Sequence, residues 1–182
     1  LLAPMAKLDL VRVFVSVTTL DRRLANKMEP RASTPTRRLG AIAALAEAGV
    51  PVGVMSAPMI PMLNDGEMEA ILEAAHKAGA VSAGYTLMRL PHEIKDLFQQ
   101  WLEEHTPNKA KRVLDMVRQT RDGKLNDPRF GTRMRGEGVY ADLLRKRFKL
   151  AVTRLGLNRN DWRPDLTLFK RPPQKGDQLS LL

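Results

Sequence analysis

The fold is indicated first by the stretch Asp9-Leu10-Val11-Arg12-Val13-Phe14-Val15-Ser16-Val17-Thr18, which is almost continuously apolar and rich in β-branched residues. Such a stretch is typical of a parallel strand that is buried on both faces. Two more stretches of this kind follow at residues 51–59 and 80–88, and each of the three is followed by helix-type periodicity. We therefore expect an α/β fold in which three successive βα units form a parallel sheet.

Local signals place the ends of the three helices. Thr34-Pro35 supplies an N-cap and a first-turn proline for the first helix, and Gly49 ends it. Asn64 is predicted to cap the second helix, with Glu67 three residues later as in a capping box. The third helix is predicted over residues 92–105, with these residues on one apolar face: Ile94, Leu97, Phe98, Trp101 and Leu102.

The pattern changes after Thr106, where only helices are predicted. They cover about residues 108–120 and 139–155 and are separated by a Gly/Arg-rich loop at residues 122–138. A tail rich in Pro, Lys and Arg follows Asn158. We therefore divide the chain into a βα part (1–106), a basic helical extension (107–157) and a flexible tail (158–182).

Composition limits the classes of function. The chain has 182 residues and no Cys, which excludes disulfides, a thiolate nucleophile and an iron–sulfur cluster held by this chain itself. The three His residues lie at no metal-ligand spacing, so no metal site is predicted. The apolar runs fall short of the ~20 residues of a membrane span, and no signal peptide opens the chain, so we expect a cytoplasmic protein.

Charge is distributed unevenly along the chain. Residues 1–106 carry 11 Lys/Arg and 12 Asp/Glu, a balance of −1, whereas residues 107–182 carry 19 and 8, a balance of +11. A basic excess of this kind favours a polyanionic partner such as nucleic acid. A solvated basic surface that aids solubility is the alternative.

Parallel α/β sheets bind ligands at the carboxyl ends of their strands. There, Ser16 and Thr18 offer hydroxyls that suit a sugar, and Arg31 offers a planar fork that suits a carboxylate or phosphate. The simpler interpretation is that the two hydroxyls satisfy nearby backbone groups and that Arg31 is an ordinary loop charge.

Two basic segments in the extension suit a phosphate backbone. The loop at residues 126–136 alternates arginines with an aromatic residue and glycines, and a basic cluster at residues 145–149 follows on a helix. The candidate nucleic-acid-binding residues are Arg129, Arg133, Arg135, Arg145, Lys146, Arg147 and Lys149.

The last five residues are Gln178, Leu179, Ser180, Leu181 and Leu182. This pentapeptide is similar to the Gln-Leu-Ser/Asp-Leu-Phe peptide by which bacterial replication and repair proteins bind the DNA polymerase sliding clamp, with Leu in place of the final Phe. A Gln followed by apolar anchors can dock in a small groove on a partner. The alternative is an ordinary apolar C-terminus.

An ordered succession of motifs covers nearly the whole chain. It comprises Ser16-Val17-Thr18-Thr19-Leu20-Asp21, Met28-Glu29-Pro30-Arg31-Ala32, Arg38-Leu39, residues 48–54, residues 57–65, residues 85–91 and residues 131–136. Together these segments resemble the C-terminal half of a radical SAM protein of the bacterial spore-photoproduct-lyase-like ("DNA repair photolyase"-like) subfamily.

The resemblance implies a partial (β/α)₆ TIM-like barrel in which the three strands here are strands four to six. It implies a [4Fe–4S] cluster on a Cys-x₃-Cys-x₂-Cys loop, and S-adenosylmethionine (SAM) that is cleaved to a 5′-deoxyadenosyl radical with the help of an electron donor. Ser16 and Thr18 would lie near the SAM ribose, and Arg31 near its carboxylate. The wall beside the adenosyl part would be Ser56, Ala57 and Pro58, and the backbone near Met88 would face the adenine.

Because the cysteines are absent, we expect a fragment of a longer protein that is inactive alone and exposes an apolar sheet edge and inner face. The first functional hypothesis is a radical SAM enzyme that acts on DNA, as a lesion-repair lyase. Radical chemistry on a protein or a small metabolite is a second possibility. The alternative from another class is a non-enzymatic basic α/β module that binds nucleic acid or protein.

Overall fold

A single parallel sheet forms the centre of the computed structural model, which describes residues 1–169 and 171–172. Its strands are β1 (Val13–Ser16), β2 (Val52–Met59) and β3 (Ser82–Leu87), in the order β1-β2-β3. Both pairings are parallel, with Val13 opposite Val52 and Gly53 opposite Ser82. The prediction of an α/β fold with three parallel strands is confirmed, although three strands alone do not make a barrel.

Seven α-helices surround the strands in the described residues. They are α1 (Leu2–Ala6), α2 (Arg22–Met28), α3 (Pro35–Glu47), α4 (Met68–Lys77), α5 (Ile94–His105), α6 (Pro107–Gln119) and α7 (Gly138–Leu155). Short 3-10 turns occupy Asp65–Glu67 and Leu166–Leu168. None of the described helices is both long enough and apolar enough to cross a bilayer.

The segment after β1 contains a helix that the sequence pattern did not predict. Helix α2 lies within a stretch that reads as a polar loop, and Asp21 caps it by accepting hydrogen bonds from the main-chain N–H of Arg23 (2.7 Å) and Leu24 (3.3 Å). The helix buries none of its residues, which explains why no apolar periodicity marks it.

One face of the sheet is covered by helices. Val52 and Val54 of β2 pack in the main core with Ile42 of α3 and Ile71 of α4. Helix α7 covers the same face of β3, where Phe148 contacts Tyr85 at 4.7 Å between ring centroids. The helix therefore belongs to the core of the α/β unit, although the sequence assigns it to a basic extension.

The opposite face of the sheet is open. Phe14 projects from β1 on this side and remains 44% exposed. Its ring lies over Gly53, where an added Cβ would come within 2.4 Å of the Phe14 ring, so only glycine fits. This open apolar face agrees with the expectation that the three strands expose one side of the sheet.

Helices α5 and α6 pack on each other and form a second, smaller core. Phe98 and Leu102 of α5 are buried there with Val113 of α6, together with Ile60 and Leu90 from the loops after β2 and β3. Ile94 and Leu97 were predicted on the buried face of this helix, but they are 44% and 59% exposed. The prediction is wrong for these two because α5 packs chiefly on α6, so its buried stripe is narrow.

The outer edge of β3 is capped by a side chain. Asn158, just after α7, accepts a hydrogen bond from the Ala83 N–H (2.9 Å) and donates one to the Ala83 carbonyl (2.9 Å). Farther along the same strand, the Leu87 N–H donates to the Met134 carbonyl at 2.9 Å. The segments after β3 thus satisfy main-chain groups that an edge strand would otherwise leave open.

Candidate functional site at the carboxyl ends of the strands

The loop after β1 is fixed by a network around Glu29 and Arg38. Arg38 donates to the Ser16 carbonyl (3.0 Å), to the Ser33 carbonyl (2.9 Å) and to Glu29 Oε2 (3.0 Å). Thr18 Oγ1 lies 3.0 Å from the same carboxylate oxygen and 3.1 Å from the Ala57 carbonyl. A guanidinium with several acceptors in fixed geometry holds a loop more firmly than a flexible point charge would.

The two hydroxyls predicted to face a sugar differ in environment. Thr18 is 3% exposed and its hydroxyl already contacts two acceptors, as the simpler interpretation of this residue expects. Ser16 is exposed at the end of β1. Arg31 is also exposed, two residues after the anchored Glu29. Ser16 and Arg31 are therefore the accessible polar side chains of this loop that the sequence singled out.

Asn64 joins the loops after β1 and β2. Its side chain donates to the carbonyls of Thr18 (2.8 Å) and Pro58 (2.9 Å), and its Oδ1 accepts from the Ile60 N–H (2.6 Å). Since all these bonds go to main-chain groups outside the following helix, Asn64 makes no side-chain cap, and the capping-box prediction is wrong.

The carboxylate of Glu67 turns to the β1 loop as well. It accepts from Thr19 Oγ1 (2.6 Å) and from the Leu20 N–H (2.7 Å). Glu67 and Asn64 thus hold the carboxyl ends of β1 and β2 together, and sequence reasoning missed this role because capping and loop bracing use the same residue types.

The segment predicted as the adenosyl wall is only partly accessible. Ser56 is fully buried, and its hydroxyl lies 3.5 Å from the Met59 sulfur in the core. Ala57 and Pro58 are half-buried and are joined by a cis peptide bond. Ala57 and Pro58, rather than Ser56, are therefore the partly accessible residues at this end of β2.

The main chain of Met88, predicted to face the adenine, already makes two hydrogen bonds. Its N–H donates to the Met59 carbonyl (2.9 Å), and its carbonyl accepts from Arg121 Nη2 (2.9 Å). A carbonyl oxygen has two lone pairs, so Met88 can still accept one more hydrogen bond.

Arg121 is a structural residue that sequence reasoning missed. It is 1% exposed, and its guanidinium donates to the carbonyls of Leu87 (3.1 Å), Met88 (2.9 Å), Thr132 (3.2 Å) and Arg133 (2.7 Å). Burial lowers its pKa, and nearby Asp127 acts in the opposite direction. The residue clamps the end of β3 to the Gly/Arg-rich loop, and nothing in its sequence context distinguishes it from the surrounding surface arginines.

The candidate nucleic-acid-binding residues fall into two groups. Arg129 is held by Asp127 (2.9 Å) and Glu137 (3.1 Å), and the same contact with Arg129 holds the pKa of Asp127 well below its usual range. Arg147 binds Glu69 (2.6 Å) and the Asp65 carbonyl (3.0 Å) on α4 and its preceding turn. Both arginines are therefore paired with carboxylates inside the fold, although the Arg129 side chain stays 54% exposed.

The other five candidates line two depressions of the surface. Arg133, Arg135, Arg145 and Lys149 line one cavity beside β3, whereas Lys146 lines a shallow depression that Lys149 also borders. The structure thus brings four of the seven candidates together. The C-terminal pentapeptide, residues 178–182, lies outside the described residues.

The side chains available as ligands decide which of the two cofactors implied by the resemblance, the [4Fe–4S] cluster or SAM, this chain could bind. The chain has no cysteine, and the described residues contain no group of three or more His, Cys, Asp or Glu side chains able to hold a metal ion. A [4Fe–4S] cluster therefore does not fit here. Ser16 and Arg31 are both exposed, and a hydroxyl and a guanidinium are groups that can bind a sugar and a carboxylate.

Comparisons with known proteins point to one superfamily. Residues 1–75 match the sequence profile of the Radical SAM superfamily, a range that includes β1, β2 and most of α4. The chain is similar to uncharacterized proteins of Mycobacterium bovis and of two strains of Mycobacterium tuberculosis, each 32% identical over 120 residues. Those residues make up 65% of this chain and 35% of each relative, so the chain spans about a third of their length. No solved structure matches the chain.

Proposed function

We propose that this chain forms the second half of a radical SAM barrel and that the complete protein is a radical SAM enzyme. The observation that carries the proposal is the superfamily match over residues 1–75, a range that contains β1 with Ser16 at its end, the following segment with Arg31, and β2. The open face of the parallel sheet supports it, because such a face needs further polypeptide to cover it.

Within this proposal, Ser16 binds the SAM ribose and Arg31 binds the SAM carboxylate. Ala57 and Pro58 contact the adenosyl part, and the free lone pair of the Met88 carbonyl accepts from the adenine. Thr18 and Ser56 do not contact the ligand, since the first bonds Glu29 and Ala57 and the second is fully buried. When bound to a reduced [4Fe–4S] cluster, SAM supplies the 5′-deoxyadenosyl radical that defines this superfamily.

The thiolates for that cluster would come from polypeptide outside this chain, because this chain has no cysteine. The upstream coding sequence tests this directly. A Cys-x₃-Cys-x₂-Cys motif ahead of Leu1 supports the radical SAM assignment. A reading frame that starts near Leu1 with its own start codon supports a non-enzymatic α/β binding module instead.

The substrate we propose is nucleic acid, with DNA-lesion repair by a lyase reaction as the specific form. The balance of +11 on residues 107–182 supports a polyanionic partner, and the clamp-like peptide at residues 178–182 would bring the enzyme to replicating DNA. Radical chemistry on a protein or a small metabolite is the competing form, and it would need neither the basic surface nor the peptide.

The test uses the full-length protein prepared without oxygen and loaded with iron and sulfide. We expect one cluster per chain by absorbance, SAM binding by equilibrium dialysis, and release of 5′-deoxyadenosine after reduction. Ser16→Ala and Arg31→Gln should each weaken SAM binding about tenfold, the equivalent of about 1.4 kcal/mol. Arg22→Gln, which removes the same charge from exposed α2, should leave it unchanged. A cluster-loaded protein that does not bind SAM would overturn the proposal.

A further inference from the structure

A cavity of about 730 Å³ lies at the outer edge of β3, between the loop at residues 130–135 and helix α7. Four cations line it: Arg133, Arg135, Arg145 and Lys149. Arg145 also pairs with Asp142 (2.5 Å), but among the described residues no carboxylate lines the cavity itself. The electrostatic potential in such a cavity favours an anion.

The inner wall of the cavity is apolar and is formed by residues from both faces of the sheet at the edge of β3. Tyr85, Phe148 and Val152 lie on the helix side of β3, and Met55 reaches in from the open face of the sheet. Gly84 lets the Met55 side chain pack closely over β3, because an added Cβ would come within 2.8 Å of the Met55 methyl group. Cations around an apolar, aromatic wall match a ligand that carries both a phosphate and a planar ring.

Tyr85 provides an independent sign of a ligand. It is 9% exposed and lines the cavity, yet its hydroxyl has no hydrogen-bond partner among the described residues. Buried polar atoms in folded proteins nearly always have a partner. A base edge or phosphate oxygen in the cavity would supply the missing partner once the side chains that cover this hydroxyl moved aside, because water does not reach it in the free protein.

Phe130 stands at the mouth of the cavity and is 90% exposed. The Arg133 guanidinium lies 5.2 Å from the centroid of its ring. An exposed aromatic ring beside a cation is the usual platform on which an unpaired base stacks.

We propose that this cavity binds one nucleotide of a single-stranded nucleic acid. The cations hold its phosphates, the base lies against Tyr85 and Phe148, and the neighbouring base stacks on Phe130. A base that remains paired in a duplex cannot enter a cavity behind a strand edge, so the bound nucleotide must be unpaired. This inference deepens the proposed nucleic-acid substrate and rests on it.

The test is fluorescence anisotropy of the full-length protein, without iron, sulfide or SAM, over a salt series. The probes are a labelled 12-nucleotide single strand, its duplex and an oligo-aspartate peptide of equal charge. We expect the single strand to bind at least fivefold more tightly than the duplex and the peptide to bind far more weakly. Equal affinity for the duplex, or full competition by the peptide, would overturn the proposal.

Matched variants separate the cavity from general charge. The double variant Arg133→Gln/Arg135→Gln should weaken single-strand binding at least tenfold and reduce the salt slope by about 1.4, at about 0.7 per lost phosphate contact. The variant Lys111→Gln/Arg112→Gln removes the same charge from the exposed side of α6 and should keep the slope. Equal effects of the two double variants would contradict a defined site.

Tyr85→Phe distinguishes binding from folding. We expect it to weaken single-strand binding several-fold without lowering the thermal midpoint, because in the free protein it removes an unpartnered hydroxyl. A lower midpoint with unchanged binding would show a purely structural role. The anisotropy assay contains no SAM. A negative result in it would therefore not affect the radical SAM assignment, which the SAM-binding test decides. A negative SAM-binding test would likewise not affect the single-strand binding measured here.

Discussion

Arg121 Nη2 lies 2.9 Å from the carbonyl oxygen of Met88, and the same guanidinium reaches carbonyls of the Gly/Arg-rich loop. One buried side chain therefore links the carboxyl end of β3, where SAM is proposed to bind, to the loop that lines the proposed nucleic-acid cavity. The positive charge inside the protein is stabilised by four main-chain dipoles rather than by a paired carboxylate.

Replacing Arg121 should destabilise the protein strongly. Arg121→Met keeps much of the volume but leaves four carbonyls without their donor, so we expect a loss of about 3 kcal/mol. Arg118→Met, three residues earlier at the end of α6, breaks only a half-exposed pair with Asp115 and should cost less than about 1 kcal/mol. Urea unfolding followed by circular dichroism measures the free energy of unfolding of both variants. Similar losses for the two would contradict the role of Arg121 in holding the end of β3 to the Gly/Arg-rich loop.

Asn64→Asp should also destabilise the protein, although the side chains are nearly the same size. The substitution places a carboxylate oxygen where Nδ2 now donates to the carbonyls of Thr18 and Pro58, at a site that is 1% exposed. We expect a loss of about 2–3 kcal/mol in urea unfolding. The control Asn108→Asp, exposed at the start of α6, should change stability by less than about 0.5 kcal/mol. A mild effect at Asn64 would mean that its three bonds are dispensable.

Both tyrosines of the chain should resist ionisation in the folded state. Burial raises the pKa of Tyr85, and burial together with the hydrogen bond to Asp65 raises the pKa of Tyr140 to about 12. The unfolded pKa is about 10. Because their pKa values are raised on folding, the two neutral tyrosines contribute to the free energy of unfolding. This contribution is complete below pH 10 and is lost as the pH rises from 10 through 12.

Absorbance at 295 nm checks this directly. At pH 10 the native protein should show little phenolate, whereas the urea-unfolded protein should show about half of its maximum. Tyr140→Phe leaves Tyr85 as the sole reporter, and because burial raises the pKa of Tyr85 its native titration should still lie above that of the unfolded protein. Half-ionisation of the native wild-type protein near pH 10 would contradict the burial of these rings.

Arg38 should act as a positioning residue for SAM. Arg38→Gln removes the link between the Ser16 carbonyl and Glu29, which holds the loop that carries Arg31, so SAM binding should weaken about tenfold. Arg23→Gln removes the same charge from the exposed helix α2 and should have no effect. Equilibrium dialysis gives the affinities, and the thermal midpoint of each variant shows whether the loss reflects only instability.

Deletion of residues 178–182 should abolish binding to a bacterial DNA polymerase sliding clamp and leave the unfolding curve unchanged. Gln178→Ala should weaken binding because the glutamine is the polar anchor of the peptide, whereas Gln174→Ala should not. Surface plasmon resonance on immobilised clamp measures these affinities. Binding that survives the deletion would remove the clamp hypothesis.

The strands were predictable because their signal is local. The apolar stretch around Val13 and its two counterparts indicate parallel strands from local composition, but burial on both faces was wrong for β1, where the open face leaves Phe14 44% exposed. The first helix was predictable for the same reason, since the Thr34 side chain does accept a hydrogen bond from the Arg37 N–H. Such contacts span only a few residues, and the residue types at those positions suffice to indicate them.

The site was predictable only at the level of the sheet edge. The roles of Asn64, Glu67 and Arg121 depend on partners that are distant in sequence, such as Thr18, Thr19 and Met88. The sorting of the arginines has the same cause, because Arg147 is neutralised by Glu69, which lies 78 positions earlier. Composition shows how many cations a segment has, but only packing shows which of them already have carboxylates.

The side-chain amide of Asn158 makes the hydrogen bonds that one peptide unit of a neighbouring strand would make. It therefore blocks the addition of a strand at the β3 edge and leaves only the β1 edge open to pairing. A fourth strand that approached β3 would first have to evict the amide from both polar groups of Ala83. Extension of the sheet, whether by the rest of the protein or by an unwanted second copy, is thereby steered to β1 at the other side. The Asn158 side chain ends the main-chain hydrogen bonding of the sheet at this point of β3. Further strands can therefore pair with β1, while edge-to-edge association of two copies through β3 is hindered.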